Sequence, residues 1–532
     1  MNLVKEPWIP VVMQDGTPAR VSLRDAFAKG EDIADLAANP CQRIALMRLL
    51  ICVAQAALDG PKDEEDWLAC KPRLVPAVLS YLDKWQHRFN LFGEHAFLQV
   101  DGLTNIKTTK KSDDESEKSS DKLDMTLAVG SSHTLFDAEA RSQNVVRTST
   151  CPANIALNLL VTQSFSLGGG QSSKTKWNGE NIDGSENGKD NNNFTAGALS
   201  NQRAYTLIRG EDLLFTIHMN LITKNDVKSY MPSSEWGKPI WEEFPTSYHG
   251  DHVSKLRSNY LPNLVPLTRF CRISKQPPFN FIAYTNGYAY SDDLSCYHDP
   301  SVSVFYDKDD NPCAVSLVEG RHPWRDLAAI LELDRAIGSK RAKGARCINH
   351  VRTLQSKGEN GVVDIWIGGM VNRRAKIIDM VEWSAHFAID GLGNLDLAFY
   401  RQCVGWAEKA ELGLCREITN YSQKCGDPLF QKKENGTFVR PDKRSRELRE
   451  KYLNEGRLIF WNYLDRYVET LVKLSEKHET SGLRVWENII DSALHAAYDR
   501  TCPHETPRQI QAYAQGLKIL QTWKKVRDRS GT

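Results

Sequence analysis

Groups that could do chemistry are few and scattered along this chain. His249-Gly250-Asp251-His252 places two imidazoles and a carboxylate within four positions, donor types that a divalent metal takes for hydrolysis. No second acidic or histidine cluster of clear spacing accompanies it. A turn carrying surface histidines therefore competes with a metal site, and a metal-dependent hydrolase or nuclease using His249, Asp251 and His252 stands as the alternative function. Gly184-Ser185-Glu186-Asn187-Gly188-Lys189-Asp190 approaches a phosphate loop, but its glycine spacing is short and Asp190 stands where a magnesium-binding hydroxyl is needed. Neither GxSxG nor HExxH occurs, and Cys502-Pro503-His504 reads as a helix end more than a nucleophile and its base. The expectation is a protein that is not an enzyme, with no metal and no cofactor.

Positive charge is more organised. Lys340, Arg341, Lys343 and Arg346 share one stretch without an acid, and Asn372-Arg373-Arg374-Ala375-Lys376 is a second knot. Others lie from Arg440 to Lys451 and at Lys518, Lys524, Lys525, Arg527 and Arg529. Solvated surface explains any single cluster, whereas several together favour a polyanion partner and make Lys340, Arg341, Lys343, Arg346 and Lys376 candidate phosphate contacts. Glycines add to this. Gly168-Gly169-Gly170 would let backbone amides enter a narrow groove or cradle a phosphate, or would simply make a turn. Gly368-Gly369 leads into Met370-Val371-Asn372-Arg373-Arg374, which reads as a turn holding an amide and two guanidiniums at its tip.

These residues need a large scaffold. The chain has 532 residues, 68 Lys and Arg against 67 Asp and Glu, a net charge of +1, and 41% hydrophobic positions. That excludes a disordered chain and a uniformly basic DNA-coating protein, and suggests more than one domain. The twelve cysteines form no CxxC pair, so neither a zinc ribbon nor a disulfide framework is expected. MNLVKEPWIPVV lacks the apolar core of a signal peptide, and IALMRLLICVAQAAL is short and interrupted by Arg48, so a soluble cytoplasmic protein is expected.

Two short strands joined by Asp15-Gly16 open the chain, and Pro40 to Leu58 reads as a helix buried on all faces. Residues 104–124 and 171–202 are polar and read as mobile loops. Ala204 to Ile222 has strand-like and then helix-like character, and 260–385 mixes short β-branched runs with Gly and Pro breaks. Beyond Gly393 helical spacing takes over: Asp396 to Ala410; Leu453, Phe460, Leu464, Tyr467, Leu471 and Leu474; then Trp486 to Ala497. A last helix, capped by Thr506-Pro507, presents Ile510, Tyr513, Leu517 and Leu520. The fold class is therefore α+β: a large mixed α/β domain over 1–387 and a four-helix bundle over 388–532.

Landmarks in order along most of the chain resemble one family, CasA, the large subunit of the type I-E CRISPR Cascade surveillance complex. They are Trp8-Ile9-Pro10-Val11, Ala96-Phe97-Leu98-Gln99, Thr134-Leu135-Phe136, Ser166-Leu167-Gly168-Gly169-Gly170, Arg209-Gly210-Glu211-Asp212-Leu213, Asp299-Pro300, His322-Pro323-Trp324-Arg325-Asp326 and Ile367-Gly368-Gly369. The resemblance implies the mixed domain and helical bundle, and a subunit that tests duplex DNA for the motif flanking a protospacer (PAM). Such a subunit opens the duplex to start the R-loop, stabilises the displaced strand and helps recruit or license the effector nuclease. Implied partners are double-stranded target DNA, guide RNA, the backbone, small-subunit and guide-end-binding proteins of Cascade, and an effector helicase-nuclease or other nuclease. Motif contact is carried to Gly168, Gly169, Gly170 and Phe136, and the duplex wedge to Gly368, Gly369, Asn372, Arg373 and Arg374. Where relatives carry a wedge glutamine this sequence has Arg374, which shifts the wedge toward guanidinium stacking and phosphate attraction. The family's groove-reading lysine has only Lys275 and Lys308 as candidates, and Cys271, Cys296 and Cys313 are too dispersed to assert a metal.

Overall fold

The computed structural model describes residues 1–107, 118–125, 151–170, 173–178, 180–182, 193–194, 196–275, 279, 281–291, 293–294, 297–307, 309–332, 336–337, 340–341, 343–373, 376–392, 394–477 and 480–520. Two units divide it, Met1–Asp390 and Gly391–Thr532.

The first unit is organised around the helix Pro40–Leu58. Asn39 and Gln42 exchange side-chain and backbone hydrogen bonds at its start, and Pro40 occupies a position where an N–H would lack a partner. Ile44, Leu46, Leu49, Leu50 and Val53 are all buried, each contributing roughly 1.5–3 kcal/mol of transfer free energy. By length and composition this helix could cross a membrane, but it is a core helix of the unit. Arg48 does not interrupt it. Its Nε donates to Leu264 O at 3.1 Å and Nη2 to Asn263 O at 2.7 Å, and Nη1 pairs with the buried Asp299 carboxylate. Burial works against ionising Asp299, but Arg48 and Ser301 outweigh it and hold the carboxyl below its ordinary value.

Ile9–Met13 lies between Pro18–Val21 and Ile33–Leu36 in an antiparallel sheet, the first two joined through Asp15-Gly16. A second antiparallel sheet joins Tyr205–Arg209 to a long hairpin made of Val362–Arg373 and Lys376–Ala388. Short strands such as Arg269–Ile273, Phe281–Asn286, Val304–Tyr306 and Pro312–Ala314 match the short runs expected over 260–385, but its last part is a hairpin of strands of 12 and 13 residues. The two stretches read as mobile loops also contain described strands. Leu103–Lys107 pairs with Ser173–Trp177, which pairs with Glu180–Asn181, and Lys118–Ser119 adds to the sheet of Arg269–Ile273 and Phe281–Asn286. Pairing there is carried by backbone hydrogen bonds, which apolar content does not report.

Described residues of the second unit contain the helices Leu397–Cys425, Lys443–Asp465, Val468–Lys477, Thr480–Thr501 and Pro507–Leu520. The spacing from Leu453 to Leu474 therefore crosses a break after Asp465, so one expected helix is two. Trp486 ties the third of the expected helices to the first by donating from Nε1 to Cys403 O at 2.9 Å. On the last helix Leu520 of the expected face is buried and Tyr513 and Leu517 are half-buried, while Ile510 is exposed and Ala512 and Gly516 take the closest positions. Small residues decide this: a Cβ on Gly516 would lie 2.0 Å from the Tyr498 hydroxyl, so close helix approach selects that face.

Candidate nucleic-acid interface

Gly168–Gly170 follows the helix Pro152–Phe165, which is buried along nearly its whole length. Its C-terminal carbonyls need partners, and the chain supplies them from two sides. Leu199 N donates to Ser164 O at 2.8 Å, and Gly197 N and Ser200 Oγ donate to Ser166 O at 2.6 and 2.9 Å. Gly197 is required for that approach, since a Cβ there would sit 2.7 Å from Ser164 O. Arg269 Nη2 donates to Leu167 O at 3.1 Å. Beyond this root Gly169 and Gly170 pair with Phe194 and Asn193. Phe136, the other residue assigned to motif contact, lies outside the described residues.

Gly368 and Gly369 do not form a turn. They sit inside Val362–Arg373, opposite Glu382 and Val381, with Gly368 also paired to Tyr205. A Cβ on Gly368 would lie 2.4 Å from the Trp366 ring, whose Nε1 donates to Glu382 Oε2 at 3.0 Å; one on Gly369 would lie 2.8 Å from Arg203 O. Their lack of side chains serves packing within the sheet. The hairpin reverses beyond Arg373, and a register shift between Val371 and Asn372 precedes its end. Such an irregularity re-aims the following side chains. Arg373 and Lys376 are exposed and face each other across the ladder, with Arg373 Nη2 3.1 Å from Glu319 Oε2. Asn372 lies beside them on the strand, and Arg374 is outside the described residues.

Other basic candidates separate by burial. Arg346 is not a free phosphate contact: it is buried, with Nε 2.6 Å from Asp226 Oδ1. Lys343 is engaged as well, donating to Ser229 O at 2.8 Å and lying over the Tyr230 ring. Lys340 and Arg341 form a short strand paired with Ala336–Ile337. In the third cluster Arg449 is buried and donates to Leu429 O and Arg440 O, each at 2.9 Å. Lys275 is exposed, and Lys308 lies outside the described residues.

The hydrolase alternative finds no support. His249, Asp251 and His252 are exposed, Asp251 starts a helix, and His252 Nε2 lies 3.4 Å from Ser247 Oγ. Among the described residues no three His, Cys, Asp or Glu side chains converge as a metal site. Sequence reading missed Gln163, set inside the apolar run Ile155–Phe165, and Arg269, beside Phe270 and Cys271; both are wholly buried. For Gln163 an amide in a run otherwise committed to the core was the available signal, whereas Arg269 shares its strand with the exposed Arg272 and gave none.

A family model described as CRISPR-associated protein Cse1 matches residues 2–497. CasA/Cse1 of Thermus thermophilus is 28% identical over 400 residues, 71% of this chain and 69% of that protein. A crystal structure of Thermus thermophilus CasA shares the fold with a TM-score of 0.71 at 22% identity, over 98% of this chain and 99% of that one. Thermobifida fusca Cse1 gives 0.74 at 19% identity, over 99% and 98%. A chain of a CRISPR RNA-guided surveillance complex gives 0.65 at 14% identity, over 98% and 99%. With its family pattern running from residue 2 to 497, this chain belongs to the Cse1, or CasA, family of CRISPR-associated proteins.

Proposed function

We propose that this protein is the non-catalytic large subunit of a cytoplasmic, RNA-guided, type I-E Cascade-like complex. In that role it reads the motif flanking a protospacer in duplex DNA and opens the first base steps. It then stabilises the displaced strand and helps recruit the effector nuclease, working beside guide RNA and the other Cascade subunits. Its arrangement would be that of a mixed recognition domain followed by a four-helix bundle, needing no cofactor.

The observation that carries the reading is the glycine segment leaving a buried root. A segment without side chains brings backbone N–H and C=O groups close to base edges, and a fixed root lets that contact report on shape instead of adapting to any sequence. The minor groove distinguishes mainly A·T from G·C, so such a reader tolerates several related motifs. The wedge is reassigned within the same hairpin. Its glycines support the sheet, and the contacting residues are those at its end, Asn372, Arg373, Arg374 and Lys376. Opening one base step costs on the order of 1.4 kcal/mol, and guide pairing offsets later steps once it begins. A few guanidinium and phosphate contacts meet that requirement without a catalytic group.

The test is target opening by the assembled complex. Replacing Asn372, Arg373 and Arg374 together by alanine is expected to slow opening of a motif-bearing duplex at least tenfold, roughly the effect of losing one base step's worth of stabilisation. Opening at the parent rate would show that the hairpin end is not the wedge. Gly169→Leu is expected to erase the preference for motif-bearing over motif-less duplex, and a scaffold subunit would keep it.

A further inference from the structure

Arg269 lies wholly buried at the start of the strand Arg269–Ile273. Its backbone is gripped by one side chain: Arg269 N donates to Gln163 Oε1 at 2.9 Å, and Gln163 Nε2 donates to Arg269 O at 2.8 Å. The amide thus takes the place of a neighbouring strand. Arg269's guanidinium reaches back across the same gap. Nε donates to the Tyr284 hydroxyl at 3.1 Å, Nη1 to Thr268 O at 2.8 Å and Nη2 to Leu167 O at 3.1 Å, with the Tyr284 ring 5.9 Å from its carbon. Thr268 Oγ1 closes the circuit by donating to Gln163 O at 2.5 Å. Helix end and strand start are locked in both directions, and the last locked atom on the helix side is the carbonyl immediately before Gly168.

A buried guanidinium is a costly way to fill space. Desolvating it costs several kcal/mol, and an aliphatic side chain of similar volume would pack there without that cost. What an aliphatic side chain lacks is the set of donors that meets the Tyr284 hydroxyl, the Thr268 carbonyl and, at the foot of the glycine segment, the Leu167 carbonyl. Gly168–Gly170 has no side chains to hold its own course, so its direction is set by the last fixed peptide before it and by its short pairing with Asn193–Phe194.

We infer that Arg269 is the positioning residue of the glycine segment: it fixes the Leu167 carbonyl so that Gly168–Gly170 meets the DNA groove in one orientation, while Gln163 fixes Arg269. This rests on the reading of the glycine segment given above, and the experiment separates the two. Arg269→Lys keeps the charge, but one ammonium cannot span the Tyr284 hydroxyl and the Leu167 carbonyl as the planar fork does. In the assembled complex, affinities for motif-bearing and motif-less duplex are measured across a salt series, together with amide hydrogen exchange at residues 166–170.

The affinity ratio between the two duplexes is expected to fall about tenfold, the scale of one lost hydrogen bond to a charged group. Motif-less binding and its salt slope stay at parent values, and exchange at 166–170 rises. A purely structural role would instead lower both affinities together and leave the ratio intact, which overturns the inference. If the ratio survives in Arg269→Lys but collapses in Gly169→Leu, Arg269 does not position the segment and the groove reading stands. If Gly169→Leu keeps the ratio too, the groove reading fails and this inference falls with it. Should Arg269→Lys not fold, Tyr284→Phe removes the hydroxyl that accepts from Nε; a smaller drop in the ratio supports the inference, and no drop overturns it.

Discussion

Arg346 and Arg373 stand in basic runs of similar composition, and the fold gives them opposite lives. The Arg346 side chain is 9% exposed and meets an Asp226 side chain that is 12% exposed, whereas Arg373 is 76% exposed beside a Glu319 that is 58% exposed. The first pair joins the helix Arg346–Ser356 to the helix Lys224–Tyr230 inside the unit. The second decorates the end of a hairpin. Positive charge in a sequence thus divides into struts and contacts. What separates them is whether a carboxylate elsewhere in the chain is brought to meet the charge in a dry place.

Breaking the buried member has the largest expected effect. Asp226 also accepts from Thr223 N and Thr223 Oγ1, both at 2.8 Å, and so caps its own helix. Asp226→Ala strands a buried guanidinium and removes that cap, and about 3–5 kcal/mol of stability should be lost in urea unfolding. A loss below about 1 kcal/mol would mean that Arg346 finds water or another acceptor and is no strut.

The two glycine pairs sharpen the same contrast at the level of backbone. Gly369→Ala places a Cβ 2.8 Å from Arg203 O and 2.9 Å from Leu317 Cδ1, and the backbone oxygen cannot yield as a side chain would. A cost of about 2–3 kcal/mol is expected, in the range of overpacked cores, read as a lower urea midpoint with an unchanged slope. Gly169→Ala should leave the midpoint near the parent value and act on motif preference. If the two variants exchange these phenotypes, the assignment of packing to one pair and contact to the other is inverted.

Much of the frame was legible because one periodicity governed each element. Pro40–Leu58 is apolar all round and is a buried helix; Tyr205–Arg209 and Leu213–Asn220 follow the change from strand-like to helix-like character; Gln509 N donates to Thr506 Oγ1 at the expected cap. What was not legible depended on partners far away in sequence. Gly368-Gly369 reads as a break because glycine is a poor strand former, yet the Trp366 ring and the Arg203 carbonyl leave no room for anything larger. Arg48 reads as an interruption because its carboxylate lies 251 residues later. The candidate site was legible as residue types and order, through the family landmarks, but not as geometry. No local pattern says that Leu167 is held by Arg269, or that Arg346 and Lys343 are already engaged.

Buried histidines give the frame a pH signature. His298 Nε2 lies 2.7 Å from Val302 O, and burial, which disfavours the imidazolium, pushes its pKa down from 6.5 to about 4. His218 and His350, both stacked on Trp67, are lowered by the same cause. A depressed folded value means that the unfolded chain takes up the proton first. The stability is therefore complete above pH 6.5 and is lost as pH falls toward 4. For His298 alone the loss between pH 6.5 and 5.5 should be about 1 kcal/mol. His298→Gln should remove that share of the slope between pH 6.5 and 5.5; an unchanged slope would show that this imidazole titrates as if exposed.

The smallest effect on stability belongs to the hairpin end, where the comparison is most exposed to failure. An ion pair as open as Arg373 with Glu319 is worth at most about 1 kcal/mol, because water screens it and two long side chains must be held still. Replacing Arg373 and Lys376 together by alanine should shift unfolding by less than about 0.5 kcal/mol. If these groups meet phosphates, duplex affinity of the assembled complex falls equally for every sequence, and the salt slope drops by about one for each phosphate that no longer meets a cation. Glu319→Gln supplies the opposite sign: it frees Arg373 from its neighbour, so affinity should rise slightly and the slope steepen. A hairpin end that faced a protein neighbour would weaken assembly and leave the salt slope for DNA unmoved, and Arg373 would then join Arg346 among the struts.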